Sequence, residues 1–176
     1  TVLSGSMSNP YDPTHMAVII NGAGNKIDAY VSSSVEYAQG KCLSELPYRE
    51  SDISVALHND APSHGLPSYV TPRNDRGFRD NSEPGSTMSV VFVHVPLGSE
   101  FHSAMVGTRQ VQLVNRGTDH GREVWEFHVE LPSESSRELT VRFAEPADAT
   151  SPEPVLGIQP MAIPMLTTIN KGEPCQ

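Results

Sequence analysis

Trp125-Glu126-Phe127-His128-Val129-Glu130-Leu131, followed by Leu139-Thr140-Val141-Arg142-Phe143, decides the fold class. Large apolar side chains take every second position and polar or charged ones the positions between, the period of a strand with one dry and one wet face. Trp125, Phe127, Val129 and Leu131 are therefore predicted as core, and Leu139, Val141 and Phe143 as a second core row. Pro132-Ser133-Glu134-Ser135 between the two runs has ordinary turn chemistry.

Working outward, Ile53, Val55 and Leu57 alternate with Ser54, Ala56 and His58 and predict another half-buried strand. Thr87 to Val95 is apolar on both parities, as expected of a central strand covered on both faces. Met16 to Ile20, Asn21-Gly22 and the run Ile27, Ala29, Val31 read as a hairpin. Asn115-Arg116-Gly117 reads as a turn before the Trp125 strand. Pro62, Pro67, Pro72 and Pro84, with Gly65 and Gly77, exclude helix or central strand between Asn59 and Pro84, which predicts one long mobile connection. Beyond Glu145, Pro146, Pro152, Pro154, Pro160 and Pro164 restrict the chain to an extended path along the surface. No 20 to 50 residue repeat is visible. These signals predict an all-β fold, an antiparallel immunoglobulin-like β-sandwich of about seven strands with long loops. The bracketed Cys, Trp, Cys core of true immunoglobulin domains is absent. The predicted organisation is an N-terminal linker or arm over 1–15, the sandwich over 16–148, and a proline-rich tail over 149–176 packed on it.

The 176 residues carry a formal net charge of -9, a field that repels phosphate backbones and anionic lipid, so nucleic acid is an unexpected partner. No apolar run approaches the length that spans a bilayer, and this fragment itself is expected to make no membrane contact. Residues 1–13 have neither the basic start nor the apolar stretch of a signal peptide, so export would depend on a signal or anchor outside the 176 residues. Cys42 and Cys175 are the only cysteines and sit in no CxxC or Cys/His cluster, which disfavours a zinc site and suits a disulfide in an oxidising compartment.

Candidate chemistry is sparse. His58-Asn59-Asp60-Ala61-Pro62-Ser63-His64 gathers two histidines, a carboxylate and a hydroxyl in a loop, a set able to ligate metal or form an acid/base pair, yet its residues are also ordinary turn formers and lack the HExxH spacing. His58, Asp60 and His64, with Tyr69 nearby, form the candidate surface site. His94 and His102 flank Val95-Pro96-Leu97-Gly98, where a ligand pair across a turn is geometrically allowed; in so apolar a strand, His94 is expected to be satisfied by a backbone partner. His15, His120 and His128 show no partner pattern. No G-x-S-x-G elbow occurs, and Gly22-Ala23-Gly24 lacks the remainder of a phosphate loop. For a carbohydrate platform, Trp125 is expected in the core, leaving Tyr11, Tyr48 and Tyr69 as loop contacts. No catalytic residue, cofactor or metal is predicted.

The order of HMAVIINGAGNKIDAYVSSSVEYAQGKC (15–42), SVALHNDAPSHGLPSYV (54–70) and PGSTMSVVFVHVPLGSEF (84–101) resembles the C-terminal ectodomain of a family of membrane-anchored actinobacterial cell-envelope proteins of unknown function. The shared cues are Asn25-Lys26-Ile27-Asp28-Ala29-Tyr30 ahead of a cysteine, Asn59 to Pro62 ending a strand, and the Leu66 to Val70 loop. The likeness spans about residues 16–145 and implies a location at a Gram-positive cell surface, with no catalytic residue to carry over. Together these signs lead to an expected non-enzymatic extracytoplasmic binding or spacer module, with a protein or cell-wall glycan as partner. The rival expectations are a hydrolase-type domain using the His58 to His64 loop and a carbohydrate-binding module.

Overall fold

The computed structural model describes residues 14–44, 46–76, 82–147 and 153–175. Two sheets pack face to face. The first takes the order β10-β1-β4-β8-β7, built from β1 (Thr14–Asn21), β4 (Thr87–Pro96), β7 (Asn115–Asp119), β8 (Arg122–Leu131) and β10 (Val155–Gly157). The second takes the order β11-β2-β3-β9-β5-β6, built from β2 (Val31–Cys42), β3 (Tyr48–Asn59), β5 (Glu100–Val106), β6 (Arg109–Val111), β9 (Ser135–Pro146) and β11 (Leu166–Asn170). The fold is thus an all-β sandwich, as the alternations predict.

The core parity follows the sequence. Trp125, Phe127, Val129 and Leu131 on β8 meet Leu139, Val141 and Phe143 on β9, all essentially inaccessible, with Ile53, Val55 and Leu57 completing the second inner face. Burying each such side chain contributes roughly 1.5–3 kcal/mol. Trp125 meets Phe101 and Phe143 edge-on, at 5.6 and 5.5 Å between ring centroids. β4 lies between β1 and β8 as a central strand.

Four features differ from the sequence expectations. The sheets are mixed, because β10 runs parallel to β1 and β11 parallel to β2. Both belong to the C-terminal tail, which covers β1 and β2, strands that would otherwise present unpaired N–H and C=O groups. Second, the described residues hold eleven strands rather than about seven, since short or edge strands such as β6 and β7 have no apolar alternation to announce them. Third, β1 and β2 are not a hairpin: β1 pairs with β4 and β2 with β3. The Asn21 side chain accepts from the backbone N–H of Ala23 and Gly24, both at 3.0 Å, and turns the chain out of the first sheet; Ile27 is fully buried before the short 3-10 turn Asp28–Tyr30 leads into β2. Fourth, Asn115-Arg116-Gly117 lies within β7, and the reversal falls at His120-Gly121, both with left-handed φ (47° and 73°), as a two-residue hairpin turn requires.

The tail crosses from the edge of the first sheet to the edge of the second. The Gln159 amide brackets Ile19, accepting from its N–H at 2.6 Å and donating to its C=O at 2.9 Å, and Met165 is buried against the core. Cys175 then closes a disulfide to Cys42, across a sequence separation of 133, with Cα atoms 5.6 Å apart.

Candidate functional site

Long connections gather at the sandwich end where β3 finishes at Asn59 and β9 begins. Asn59 is fully buried and acts as the anchor. Its Nδ2 donates to the carbonyls of Gly85, Pro132 and Leu131 at 2.8, 2.9 and 3.3 Å, and its Oδ1 accepts from Ala61 N–H at 3.0 Å. Both ends of the 60–86 excursion are thereby fastened to the β8–β9 turn. Gly85, with φ 81°, is required there, since a Cβ would stand 2.4 Å from the Pro62 carbonyl oxygen.

A second fastening comes from Arg73. Its guanidinium is buried and donates to Asp75 at 2.9 and 2.5 Å and to Glu130 at 2.8 and 3.2 Å, while Arg76 also donates to Glu130 at 2.5 Å. The hydrogen bonds from Arg73 hold the Asp75 carboxyl below its ordinary value against the opposing effect of burial. A planar fork locked onto two carboxylates sets the loop's position more firmly than a flexible lysine would. The described part of the connection is consequently pinned, in contrast to the mobile segment that its prolines and glycines suggest. Beside it lies a pocket of about 430 Å³ lined by Arg76, Glu83, Ser86, Glu130 and Pro132 among others.

The candidate residues fall into separate groups. His58 and Asp60 meet, Nε2 to Oδ1 at 2.8 Å, and His58 Nδ1 lies 2.8 Å from the Ser136 hydroxyl. A hydroxyl, an imidazole and a carboxylate are thus linked in series, in the order used for nucleophile activation. All three are exposed, which leaves the chain of hydrogen bonds in competition with water. His64 bonds to its neighbour Ser63 at 3.3 Å instead. Tyr69, 68% exposed, has the Lys26 ammonium 5.3 Å from its ring centre, and Lys26 N–H bonds to the Val70 carbonyl, so ring and cation are presented together on the surface. Tyr48 reaches the Gly98 carbonyl, and Tyr11 lies outside the described residues. His94 and His102 stand on different sheets and form no ligand pair. Nor does His94 have the backbone partner expected of it: its Nδ1 is buried without a hydrogen bond. Among the described residues, no three His, Cys, Asp or Glu side chains gather as a metal site.

A buried polar cluster at the opposite end had no sequence signal. Glu145 on β9 receives His15 Nε2 from the other sheet at 2.5 Å and the Ser51 hydroxyl at 2.6 Å, and Tyr37 donates its hydroxyl to the same carboxylate. His15 stacks on Tyr37 with ring centres 4.0 Å apart. Burial works to raise the Glu145 pKa; the hydrogen bond and electrostatic pull of His15, with Ser51 and Tyr37, outweigh it and leave the carboxyl below its ordinary value. Tyr37 is pushed well above the phenol range by burial and by the adjacent carboxylate. Packed within the core and joining both sheets, the cluster has the character of a structural cross-tie. A His–Glu pair 130 positions apart leaves no local pattern to read.

Fold and site together define an all-β sandwich domain with a disulfide-tied tail and a pinned loop end. No protein-family model matches the chain, and no match is found among curated proteins. One solved structure, a proposed nutrient-binding protein of Legionella pneumophila, aligns with 77% of this chain at 9% identity and a TM-score of 0.43. This chain spans 43% of that protein's length.

Proposed function

We propose that this chain is a non-enzymatic, extracytoplasmic binding module of a bacterial cell-envelope protein, and that the loop end is its binding surface. The observation that carries the reading is the Asn59 and Arg73 anchoring: it holds the described part of the 60–86 connection in one shape, so Tyr69, Lys26 and Arg76 are preorganised for a partner. The disulfide supports an oxidising compartment. Among the described residues no helix is long and apolar enough to cross a membrane. The sequence likeness to membrane-anchored actinobacterial envelope proteins supports the same location. The partner is an envelope protein or a cell-wall glycan.

The test is retention of the labelled domain on actinobacterial cell-wall polysaccharide and, separately, on solubilised envelope protein. One of the two matrices should hold it, and Tyr69→Ala or Arg76→Ala should reduce retention about tenfold, near 1.4 kcal/mol. Equal retention of wild type and both variants, or none on either matrix, would overturn the assignment.

One specific observation favours a second reading, a hydrolase-type activity: the Ser136, His58 and Asp60 series. Activated aryl esters provide the assay. Turnover abolished by Ser136→Ala and by His58→Ala, with the fold intact, would replace the binding reading by the enzymatic one.

A further inference from the structure

A second pocket, of about 340 Å³, lies on the outer face of the first sheet and shares no residue with the loop end. Its floor follows from strand parity. Val91, Val93, Trp125 and Phe127 take the inner face, so Phe92, His94 and Val124 point outward, and Gly117 on β7 stands across from Val124. Two features of this floor are unusual for a bare sheet surface. Phe92 and Val124 give it an apolar base only partly covered by the protein, and His94, 7% exposed, buries an Nδ1 with no hydrogen-bond partner.

The rim supplies polar groups already oriented. Asp119 accepts from the His120 ring at 2.7 Å through Oδ1, and Glu126 accepts from the His128 ring at 2.8 Å through Oε1. Each carboxylate keeps a second oxygen for a ligand. Asn115 accepts the Arg116 N–H through Oδ1 at 2.9 Å, leaving its amide N–H groups to donate. His120, which holds Asp119, sits in a left-handed backbone position (φ 47°) where glycine or asparagine is more usual. Burial lowers the His94 pKa, with Asp119 acting in the other direction, so a neutral imidazole borders the pocket.

We propose that this pocket binds one neutral pyranose ring, its C–H face against Phe92 and its hydroxyls shared among Asp119, Glu126 and Asn115. A ring hydroxyl both donates and accepts, which matches carboxylate acceptors beside an amide donor. The nearby cation, Arg116, is tied to Glu123 at 3.0 Å and holds no charge in reserve for an anion. The volume is at the low end for small-molecule sites, room for a single ring. One ring on a shallow pocket gives a Kd in about the millimolar range.

The experiment uses the full 176-residue chain with the methyl glycosides of glucose, galactose and mannose, read by saturation-transfer difference NMR and by amide shift mapping. At least one glycoside should bind in the millimolar range, with shifts centred on Phe92, His94 and Gly117. Gly117→Val should weaken binding about tenfold or more. Its added Cβ meets nothing within 4 Å and valine suits a strand, so the fold is retained and loss reports a filled pocket. Phe92→Ala should do the same, and Lys41→Ala, at an exposed position on the second sheet, should change nothing. Matching disaccharides separate the sources: tighter binding marks the terminal residue of a polymer, exclusion marks a free monosaccharide. No transfer from any glycoside, binding indifferent to Gly117→Val, or shifts centred on Tyr69 would overturn the proposal. Because the loop-end variants are measured in parallel, failure here leaves the loop-end reading standing or falling on its own data.

Discussion

Glu145 on β9 and His15 on β1 meet at 2.5 Å through the interior, joining the two sheets by a hydrogen bond between side chains that are 4% and 1% exposed. Buried carboxylates tolerate such a position only when their oxygens are satisfied, and here Ser51 and Tyr37 complete the set.

That arrangement makes stability depend on acid. The folded Glu145 carboxyl has a pKa below its ordinary 4.5, so its contribution is fully present above about pH 4.5 and is lost as pH falls through the folded value. Urea melts from pH 7 down to pH 3 should show wild type losing stability more steeply than Glu145→Gln, which has no proton to take up. Glu145→Ala at pH 7 should cost about 3–5 kcal/mol, since it strands three buried polar partners. Parallel acid slopes for wild type and Glu145→Gln would disprove the linkage.

The disulfide should dominate the tail's attachment. Loop-closure entropy over 133 positions corresponds to roughly 4–5 kcal/mol before strain. Non-reducing denaturation should reveal no reactive thiol in oxidised protein. Under reductant, urea melts should shift to lower midpoint, and residues 166–175 should become the first protease target, because β11 is held to β2 at an exposed edge. Unchanged midpoints with and without reductant would show that the tail's packing alone suffices.

Strand parity predicts a contrast between neighbours on β8. Phe127 is 1% exposed and packs near Phe101, with ring centres 6.1 Å apart, so Phe127→Ala should cost about 3–5 kcal/mol. Glu126 points outward and bonds only to His128 among the described residues' side chains; Glu126→Ala should cost under about 0.5 kcal/mol. Similar losses for both would mean that the inner and outer faces of β8 are exchanged.

How far the sequence could be read depended on which strands bury a face. β3, β8 and β9 alternate because each has one inner row, and β4 is apolar throughout because Met88, Val90 and Ala23 form a small cluster on its outer side. Neither β7 nor β11 has a buried residue, so neither needs apolar alternation. Asn21-Gly22 signals a change of direction correctly but carries no information about which sheet receives the next strand. At the candidate site, His58 and Asp60 are two positions apart and were visible as a pair, whereas Ser136 arrives only through the cross-strand register His58 to Ser136. His94 was legible as a histidine in an apolar strand; that its ring borders a pocket depends on Gly117 on β7, which lies one strand beyond and is aligned with His94 through Val124 on β8.

The loop end should lose its shape when its anchor is removed. Asn59→Ala removes a donor from the Gly85, Leu131 and Pro132 carbonyls, the last of which keeps the Ser135 hydroxyl at 2.8 Å, and an acceptor from Ala61 N–H, and the burial of under-paired backbone groups outweighs the small gain in apolar surface. The expected cost is about 2–4 kcal/mol in urea melts. Because this contact set meets the core rows only at the Leu131 carbonyl, at the end of β8, the damage should be local first: amide exchange should accelerate across residues 60–76 and 82–86, and remain slow at Val129 and Val141. Asn59→Asp provides the sharper comparison. It preserves size and the acceptor for Ala61 N–H, but it replaces the donor with a carboxylate oxygen facing the Gly85, Leu131 and Pro132 carbonyls, so it should destabilise at least as much as alanine at pH 7. Protection of 60–76 unchanged in both variants would show that Arg73 and its carboxylates fix the loop by themselves.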